Sequence, residues 1–305
     1  MSNAFNTISS ALVAAVVLGT AVAAQQPRIE NGTVAVQGAA SPLAQSFRTL
    51  VSSQAEVAWI GYSVPVADPD RVMCCFGNNY ISGSISGSNA CCGVCTLETS
   101  SGTTMSSRTD ATTPSGAVKL EGPDRMVVLF RIAERKVDRV RVFSEDCRLD
   151  AGGRPVKWLD NVRPAESVAL LESLAGGEPR DRVSNSAIMA ISQHADPAAL
   201  DTLFRLARTG SQPKTRGDAL FWLAQRAGDK VAATIRERID QDPDTDVKKK
   251  AVFALSQLPK DEGVPLLIQV ARTNKTPEVR RQAMFWLGQS KDPRAVEFFA
   301  EILAK

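Results

Sequence analysis

The chain has 305 residues, of which 44% are hydrophobic and 23% are charged, a composition typical of globular protein with room for about two domains. Its formal net charge of +3 is too small to indicate nucleic-acid binding.

An apolar run at residues 11–24 ends in small residues and is followed by two glutamines. This pattern resembles a secretory signal peptide with cleavage near Ala23 or Ala24. Because residues 1–10 contain no Lys or Arg, an uncleaved interfacial anchor or a misplaced start remains the alternative. The run is also shorter than the roughly 20 residues of a membrane span. We therefore predict a signal peptide at residues 1–24, export to the periplasm or the medium, and no membrane span after cleavage.

The next region is rich in β-branched and aromatic residues, which favour strands. A short helix at residues 41–53, with Ser41 as its N-cap, is expected to precede them. The predicted strands are residues 56–64, 117–120, 126–132 and 137–143. Glu134 to Lys136 indicates a hairpin between the last two, and residues 98–116, rich in Ser, Thr and Gly, are predicted to form a loop. Together these segments predict a small β-rich domain at residues 28–160.

All six cysteines lie in this N-terminal half: Cys74, Cys75, Cys91, Cys92, Cys95 and Cys147. An even number in an exported chain favours disulfides, and six cysteines allow 15 pairings. Adjacent cysteines rarely bond to each other, so we expect crossing bonds from the first pair to the second, and one from Cys95 to Cys147. A Cys-only metal site and a redox-active Cys92-x-x-Cys95 are the alternatives. Neither a helix nor nearby cations support a reactive thiol here, and we expect no bound metal.

Four variants of one apolar phrase begin at Ala187, Ala219, Ala251 and Ala283, always 32 residues apart. A fixed period of this length predicts a solenoid of stacked supersecondary units. Residues 164–177 carry apolar residues in register with the later units, which indicates a degenerate half repeat at the start. The predicted units are the half repeat at 164–177 and full repeats at 178–209, 210–241, 242–273 and 274–305.

Each full repeat is predicted to contain two helices. The first carries five consecutive apolar residues, as at 219–223, so it must be buried on most sides. The second is expected to begin near Asp196, Asp229, Asp261 and Asp292, because Asp is a good N-cap. Two apolar rows on the second helices are predicted to form the stacking seams: Leu200, Ala232, Val264 and Val296, and Leu203, Ile235, Leu267 and Phe299.

Val247-Lys248 and Val279-Arg280 lead into first helices that contain Ala-x-x-x-Leu. With the 32-residue period, these motifs resemble short bacterial HEAT repeats, including the bilin-lyase-like group, which form armadillo-type α-solenoids. The resemblance covers residues 164–305 and implies binding of partner proteins. Diiron hydroxylases among such proteins need His-Glu pairs, but the single histidine, His194, is followed by Ala195. The sequence therefore predicts no catalytic residue and no cofactor, and places His194 at the surface or in a turn.

A basic row recurs near the start of the first helices: Arg216, Lys248 and Arg280, thickened by Lys249, Lys250 and Arg281. One interpretation pairs these cations with nearby acidic residues of neighbouring units. The other makes Arg216, Lys248, Lys249, Arg280 and Arg281 a strip that binds an acidic partner. Exposed ion pairs contribute only about 0–1 kcal/mol each, so pairing alone does not exclude a binding role.

Two further sets of residues keep the repeat register. Glutamines recur at positions 193, 225, 257 and 289, and we expect them to form a hydrogen-bonded ladder along the stack. Trp222 and Trp286 alternate with Ala190 and Ala254, which favours interdigitated core packing over a partner-facing aromatic pair.

No polar capping helix follows the fourth repeat, although solenoid ends normally need a polar outer face. One hypothesis is that Phe298 and Ile302 contact a partner or a second copy of the chain; the other interpretation is fraying or partial burial of this end.

The sequence thus predicts an α+β multidomain protein: a small disulfide-linked β-rich domain followed by an all-α HEAT-like solenoid. Its predicted function is that of a non-catalytic scaffold or adaptor of the cell envelope, binding another protein. The competing function is a thiol–disulfide oxidoreductase, or another enzyme that uses the Cys-rich domain.

Overall fold

The computed structural model describes residues 28–69, 71–74, 94–98, 104–107, 124–177, 182–226 and 228–304. The predicted signal peptide, the predicted strand at 117–120 and three cysteines, Cys75, Cys91 and Cys92, lie outside these ranges. The strands are β1 Arg28–Glu30, β2 Val34–Gly38, β3 Ala58–Pro65, β4 Arg71–Cys74, β5 Val94–Thr96, β6 Thr104–Ser107, β7 Arg125–Ala133, β8 Lys136–Ser144, β9 Arg148–Asp150 and β10 Val156–Asp160. The helices are α1 Leu43–Ser53, α2 Pro164–Ala175, α3 Arg182–Gln193, α4 Pro197–Thr209, α5 Pro213–Ala224, α6 Asp229–Gln241, α7 Thr245–Ser256, α8 Lys260–Thr273, α9 Pro277–Gln289 and α10 Pro293–Leu303.

A five-stranded sheet with the order β2-β10-β3-β7-β8 forms the centre of the N-terminal region. Strands β3, β7 and β8 are antiparallel, and β10 pairs in parallel with β2 and β3. The predicted hairpin joins β7 to β8 through Glu134 and Arg135, both at positive φ. Strand β3 is buried along nearly its whole length because both faces of the sheet are covered.

Side chains that alternate along β3 enter two different cores, as the period of a strand requires. Ile60 and Tyr62 join the core that includes the helices, whereas Trp59 joins a second core with Trp158. A three-stranded parallel sheet, β1-β9-β5, contributes to this second core. A Cβ atom on Gly61 would lie 2.5 Å from Leu129, so this position has no room for a side chain.

Two local predictions for this region were wrong. Helix α1 begins at Leu43 rather than at Ser41, and its N-cap position is Pro42. The Ser41 hydroxyl instead donates a hydrogen bond of 2.9 Å to Glu166 on α2. The predicted loop at 98–116 contains strand β6, which pairs with β4. Thr suits strands as well as loops, and pairing of β6 with the distant strand β4 decided the outcome.

In the C-terminal half, each predicted full repeat contains one pair of helices: α3–α4, α5–α6, α7–α8 and α9–α10. Helix α2 stands alone in the predicted half repeat. Asp196 and Asp292 are N-caps and accept hydrogen bonds from backbone N–H groups two residues later. In contrast, α6 begins after Gly228 and α8 after Pro259, without a side-chain cap.

The sheet and the helical stack share one continuous hydrophobic core. Helix α3 packs against β8, α2 packs against β3, and α1 packs against α2 and β8. The first end of the stack is therefore covered by the sheet.

Candidate protein-interaction surface

An aromatic row runs along the first helices of three repeats, at one repeat position: Phe221, Phe253 and Phe285. The rings of Phe221 and Phe253 are stacked with their centroids 5.7 Å apart, and Phe253 lies 4.8 Å from Trp286. Phe221 and Phe253 are half-buried, and Phe285 is 54% exposed. The row therefore presents a continuous apolar edge to solvent.

The two tryptophans beside this row differ in burial. Trp222 is 9% exposed and belongs to the core, as predicted. Trp286 is only partly buried, and its Nε1 atom is buried without a hydrogen-bond partner among the described residues. Sequence analysis did not identify the aromatic row because these residues lie within apolar segments that are typical of a buried core.

Two of the predicted basic residues lie one helical turn before rings of the aromatic row. Lys249 precedes Phe253 by four residues and Arg281 precedes Phe285 by four, so each pair shares a helix face. The Lys249 ammonium lies 2.6 Å from Asp246, and its side chain is 39% exposed. Arg281 is 75% exposed and lies 3.5 Å from Glu278. Such exposed pairs are weak, so both cations can contact a partner.

Arg216, by contrast, is held inside the stack. Its guanidinium donates two hydrogen bonds, of 2.8 and 2.9 Å, to the Asp242 carboxylate, whose side chain is fully buried. Burial alone would raise the pKa of Asp242, but hydrogen bonds from Arg216 and the Asp244 N–H, with the charge of Arg216, lower it. Arg216 therefore joins consecutive repeats and does not face a partner.

The recurring basic position also has a second structural role. Arg216 donates to the Gly210 carbonyl at 2.9 Å, and Arg280 donates to the Asn274 carbonyl at 2.7 Å. Lys248 donates to the Asp240 carbonyl at 3.1 Å. All three carbonyls lie at the C-terminal ends of second helices, where cations and donors are stabilising. Of the five predicted strip residues, these three are engaged with backbone, whereas Lys249 and Arg281 are not.

The predicted glutamine ladder was wrong. Among the described residues, no hydrogen bond joins two of these glutamines; Gln193 donates to Ser192 at 2.6 Å and Gln257 to Ser256 at 3.1 Å. Gln193 and Gln257 each lie at the end of a first helix, where the hydroxyl of the preceding serine is within reach. Gln257 and Gln289 instead line a cavity of about 200 Å³ beside Trp286. This volume is below the ~300–1,000 Å³ of small-molecule sites.

His194 was predicted at the surface or in a turn; it lies just after the end of α3 but is fully buried where the sheet meets the stack. Its Nε2 lies 2.8 Å from the Ser167 hydroxyl, which lies 2.7 Å from the Tyr62 hydroxyl. The His194 Nδ1 lies 2.8 Å from the Ala190 carbonyl. A carbonyl only accepts, so a neutral His194 donates from Nδ1 and accepts from Ser167 at Nε2; Tyr62 then donates to Ser167.

Burial lowers the pKa of His194 to about 4, so the ring is neutral near pH 7. Burial also raises the pKa of Tyr62 far above its usual range. Although a serine contacts a histidine here, both are buried, so no substrate reaches them. These residues join β3 to α2 and to the end of α3.

The exposed residues of the last repeat differ from those predicted. Phe298 is 3% exposed, with Arg272 over its ring, and Ile302 is 36% exposed. The most exposed large apolar residues of this helix are instead Val296, at 67%, and Leu303, at 85%. Within the described residues, the predicted seam is thus open at Val296.

Of the six cysteines, Cys74, Cys95 and Cys147 lie within the described ranges. Cys95 and Cys147 are both buried in the second core. Within the described ranges, no cluster of three or more His, Cys, Asp or Glu side chains could hold a metal ion. None of the helices described is long and apolar enough to cross a membrane.

Comparison with known proteins gives one family match, to HEAT repeats, over residues 232–305. No curated protein matches the chain. The match covers the last two helix pairs and most of α6, in the region where helix pairs recur every 32 residues. Residues 232–305 are therefore similar to HEAT repeats, and the helix pairs before them keep the same 32-residue register.

Proposed function

We propose that the protein is a non-catalytic scaffold that binds another protein through the aromatic row and its two flanking cations, Lys249 and Arg281. The observation that carries this proposal is the row itself, which keeps Phe253 and Phe285 partly open to solvent on a rigid stack. A HEAT-repeat region supports a protein-interaction role.

The chemistry of the surface defines the partner. Aromatic side chains and arginines contribute most of the binding energy at protein interfaces, often 2 kcal/mol or more each. Cations one turn from each exposed ring favour carboxylates on the partner. The expected ligand is a segment with apolar side chains flanked by Asp or Glu.

Position-specific photo-crosslinking tests this proposal. A benzoylphenylalanine replaces Phe253 or Phe285 in the full chain, produced in its native cells, and adducts are identified by mass spectrometry. The control places the same group at Ala233, which is exposed on α6. We expect one protein to be crosslinked from both row positions but not from Ala233.

A charge reversal makes the test sharper. The double variant Lys249→Glu with Arg281→Glu should reduce that adduct at least about tenfold, because it places carboxylates against an acidic partner. Equal adducts from the row and from Ala233, or an adduct that charge reversal does not change, would contradict the proposal.

Export and disulfide linkage form a second part of the proposal. We infer that the leader is removed, that the protein functions in the cell envelope, and that the N-terminal region is disulfide-linked. Supporting this, residues 11–24 have a signal-peptide pattern. In addition, Cys95 and Cys147 are both buried in the second core, where a disulfide would be shielded from solvent. N-terminal sequencing of the mature protein and peptide mapping without reduction test both points; a retained leader or free thiols would refute them.

Alkylation of the cysteines tests the proposed absence of catalysis. A thiol oxidoreductase needs Cys92 and Cys95 to react at neutral pH in the native protein. We expect neither to be alkylated before reduction. Rapid alkylation of Cys92 in the folded chain would favour the enzyme over the scaffold.

A further inference from the structure

The cavity beside Trp286 lies inside the stack, between the third and the fourth full repeat. Helices α7, α8 and α9 line it, and both repeats that form it lie within the described residues. Its volume is about 200 Å³. Because an apolar cavity of ~150 Å³ accommodates a benzene ring, this one has room for a single side chain of a partner.

The cavity has an apolar floor and a polar rim. Buried or partly buried apolar side chains form the floor, among them Leu255, Val264 and Trp286. Exposed polar residues line the opening: Gln257, Lys260 and Gln289. An apolar floor inside a polar rim is typical of a pocket that receives an anchor side chain at a protein interface.

The repeat register indicates which group is missing from the cavity. Ser290 lines its wall, whereas the earlier repeats have large residues at the same position: His194, Arg226 and Leu258. Arg226 reaches back to the preceding repeat, where it donates to the Ser192 carbonyl at 3.1 Å. Leu258 is 5% exposed and belongs to the core. The serine of the fourth repeat therefore leaves space that a larger side chain fills elsewhere in the stack.

The charge at the opening selects an apolar anchor over a cationic one. Asp196 stands in the first repeat where the third repeat has Lys260, and a carboxylate there suits the cation of Arg226. Lys260 would instead repel a cation that entered the cavity. Its ammonium group forms no salt bridge with a described residue, so it can pair with a carboxylate of the partner. A leucine-sized apolar group, as at Leu258, is the occupant that fits.

Trp286 connects this cavity to the aromatic row. Its ring centroid lies 4.8 Å from that of Phe253 and 4.9 Å from that of Phe285. A segment bound on the row is therefore within reach of the cavity. We propose that the cavity holds one leucine-sized apolar side chain of the partner segment, and that a neighbouring Asp or Glu of the segment pairs with Lys260. This inference rests on the proposed function, because it names the anchor of the same partner.

Titration of the full chain with two peptides tests this proposal. The probe is the acetylated and amidated peptide Asp-Asp-Leu-Asp-Asp, and its control has alanine in place of leucine. The chain has four tryptophans, whose indole N–H groups give separate NMR signals, and Trp286→Phe assigns the signal beside the cavity. We expect the leucine peptide to shift this signal with a Kd of about 1 mM or less. The alanine peptide should bind at least about tenfold more weakly, because alanine buries less apolar surface.

Two substitutions of Ser290 separate the cavity from the rest of the surface. Ser290→Leu fills the cavity from within the chain and should weaken binding of the leucine peptide at least about tenfold. The matched control, Ser290→Ala, keeps the cavity open and should bind within about twofold of the unsubstituted chain. Lys260→Glu changes an exposed residue and should weaken binding at least about fivefold, because it replaces attraction by repulsion. This variant keeps the test decisive if leucine at position 290 impairs folding, which circular dichroism reports.

Three outcomes would overturn the proposal: equal affinity for the two peptides, unchanged binding in both Ser290→Leu and Lys260→Glu, or no saturable shift up to about 10 mM peptide. Photo-crosslinking from position 253 distinguishes this failure from that of the scaffold. A partner adduct that persists in Ser290→Leu, with no binding of the leucine peptide, refutes the cavity and leaves the scaffold. Binding of the leucine peptide as expected, with no partner adduct from the row, supports the cavity and refutes the aromatic row as the partner surface.

Discussion

The first and last copies of the seven-residue apolar motif differ in burial. Gln193, at the end of the first copy, is 4% exposed beside the sheet, whereas Gln289, at the end of the last copy, is exposed. Met189 is partly buried, whereas Phe285, its equivalent, is 54% exposed. The difference teaches that a repeat position specifies a helix face, while the neighbour in the stack decides whether that face is buried.

The largest expected change in stability comes from breaking one of two arginine–carboxylate pairs, one buried and one exposed. Asp242→Ala leaves Arg216 unpaired inside the stack, and we expect a loss of about 3–5 kcal/mol in the free energy of unfolding. Arg281→Ala, in the exposed pair of the last repeat, should cost less than about 1 kcal/mol. Urea unfolding followed by tryptophan fluorescence measures both. Equal losses would show that the position of an ion pair in the stack does not affect its contribution to the free energy of unfolding.

A second comparison uses one apolar position in two repeats. Ile239 is 1% exposed, and Leu303, 64 residues later, is 85% exposed. Ile239→Ala should cost about 2–5 kcal/mol through lost burial and a cavity, whereas Leu303→Ala should change stability by less than about 0.5 kcal/mol. Thermal and urea unfolding give both values, and a large loss for Leu303→Ala would contradict its exposure.

Lowering the pH tests the packing at the start of the helical stack, where the sheet covers it. The folded pKa of His194 is about 4 and its reference value is 6.5, so the unfolded chain binds the proton more readily. The stability contributed by neutral His194 is complete above pH 6.5 and is lost as the pH falls towards 4. Between pH 7 and pH 5 we expect a loss of about 2 kcal/mol in the free energy of unfolding.

Urea unfolding at several pH values measures this loss, and His194→Asn is the control. Because His194 is the one histidine of the chain, the variant should show almost no pH dependence between pH 7 and pH 5. The carboxyls with resolved pKa shifts all have lowered values, for example Asp292 at about 2, so they act mainly at lower pH. An unchanged pH slope in the variant would refute the assignment.

The smallest effect tests whether the sheet and the first repeat unfold together. Glu134 and Arg135 form the two-residue turn between β7 and β8 at positive φ, where Asn-Gly is preferred. Glu134→Asn with Arg135→Gly should stabilise the sheet by about 1 kcal/mol. Hydrogen exchange should then slow in α3, which packs on β8, but not in α10. Slowing confined to β7 and β8 would show that the shared core does not couple them.

The helices of the solenoid were predictable because their signals are local. The Asp N-caps and the prolines in first turns lie within one turn of the helix ends that they specify, and the 32-residue period repeats these signals along the chain. Asp196 and Asp292 cap helices as expected, and Phe298 and Phe299 lie on a helix. The exposure of Val296, the burial of His194 and the open edge of the aromatic row depend on contacts far away in sequence. No local pattern carries that information.

The candidate surface was only partly predictable for the same reason. Lys249 and Arg281 were named from the basic row, but so were Arg216, Lys248 and Arg280, which bind backbone carbonyls or a buried carboxylate. One signal was available in the sequence: Gly210, Asp242 and Asn274, also 32 residues apart, each precede a basic residue by six positions. This spacing marks a cation that caps the preceding helix.

By itself, the sequence determined that the C-terminal half is a stack of helix pairs, because hydrophobic periodicity and capping act over a few residues. Only the tertiary structure decided which copies of the repeat are covered, because burial depends on what packs against each copy. The sheet covers the first copy, whereas no further helix pair of the described chain covers α10.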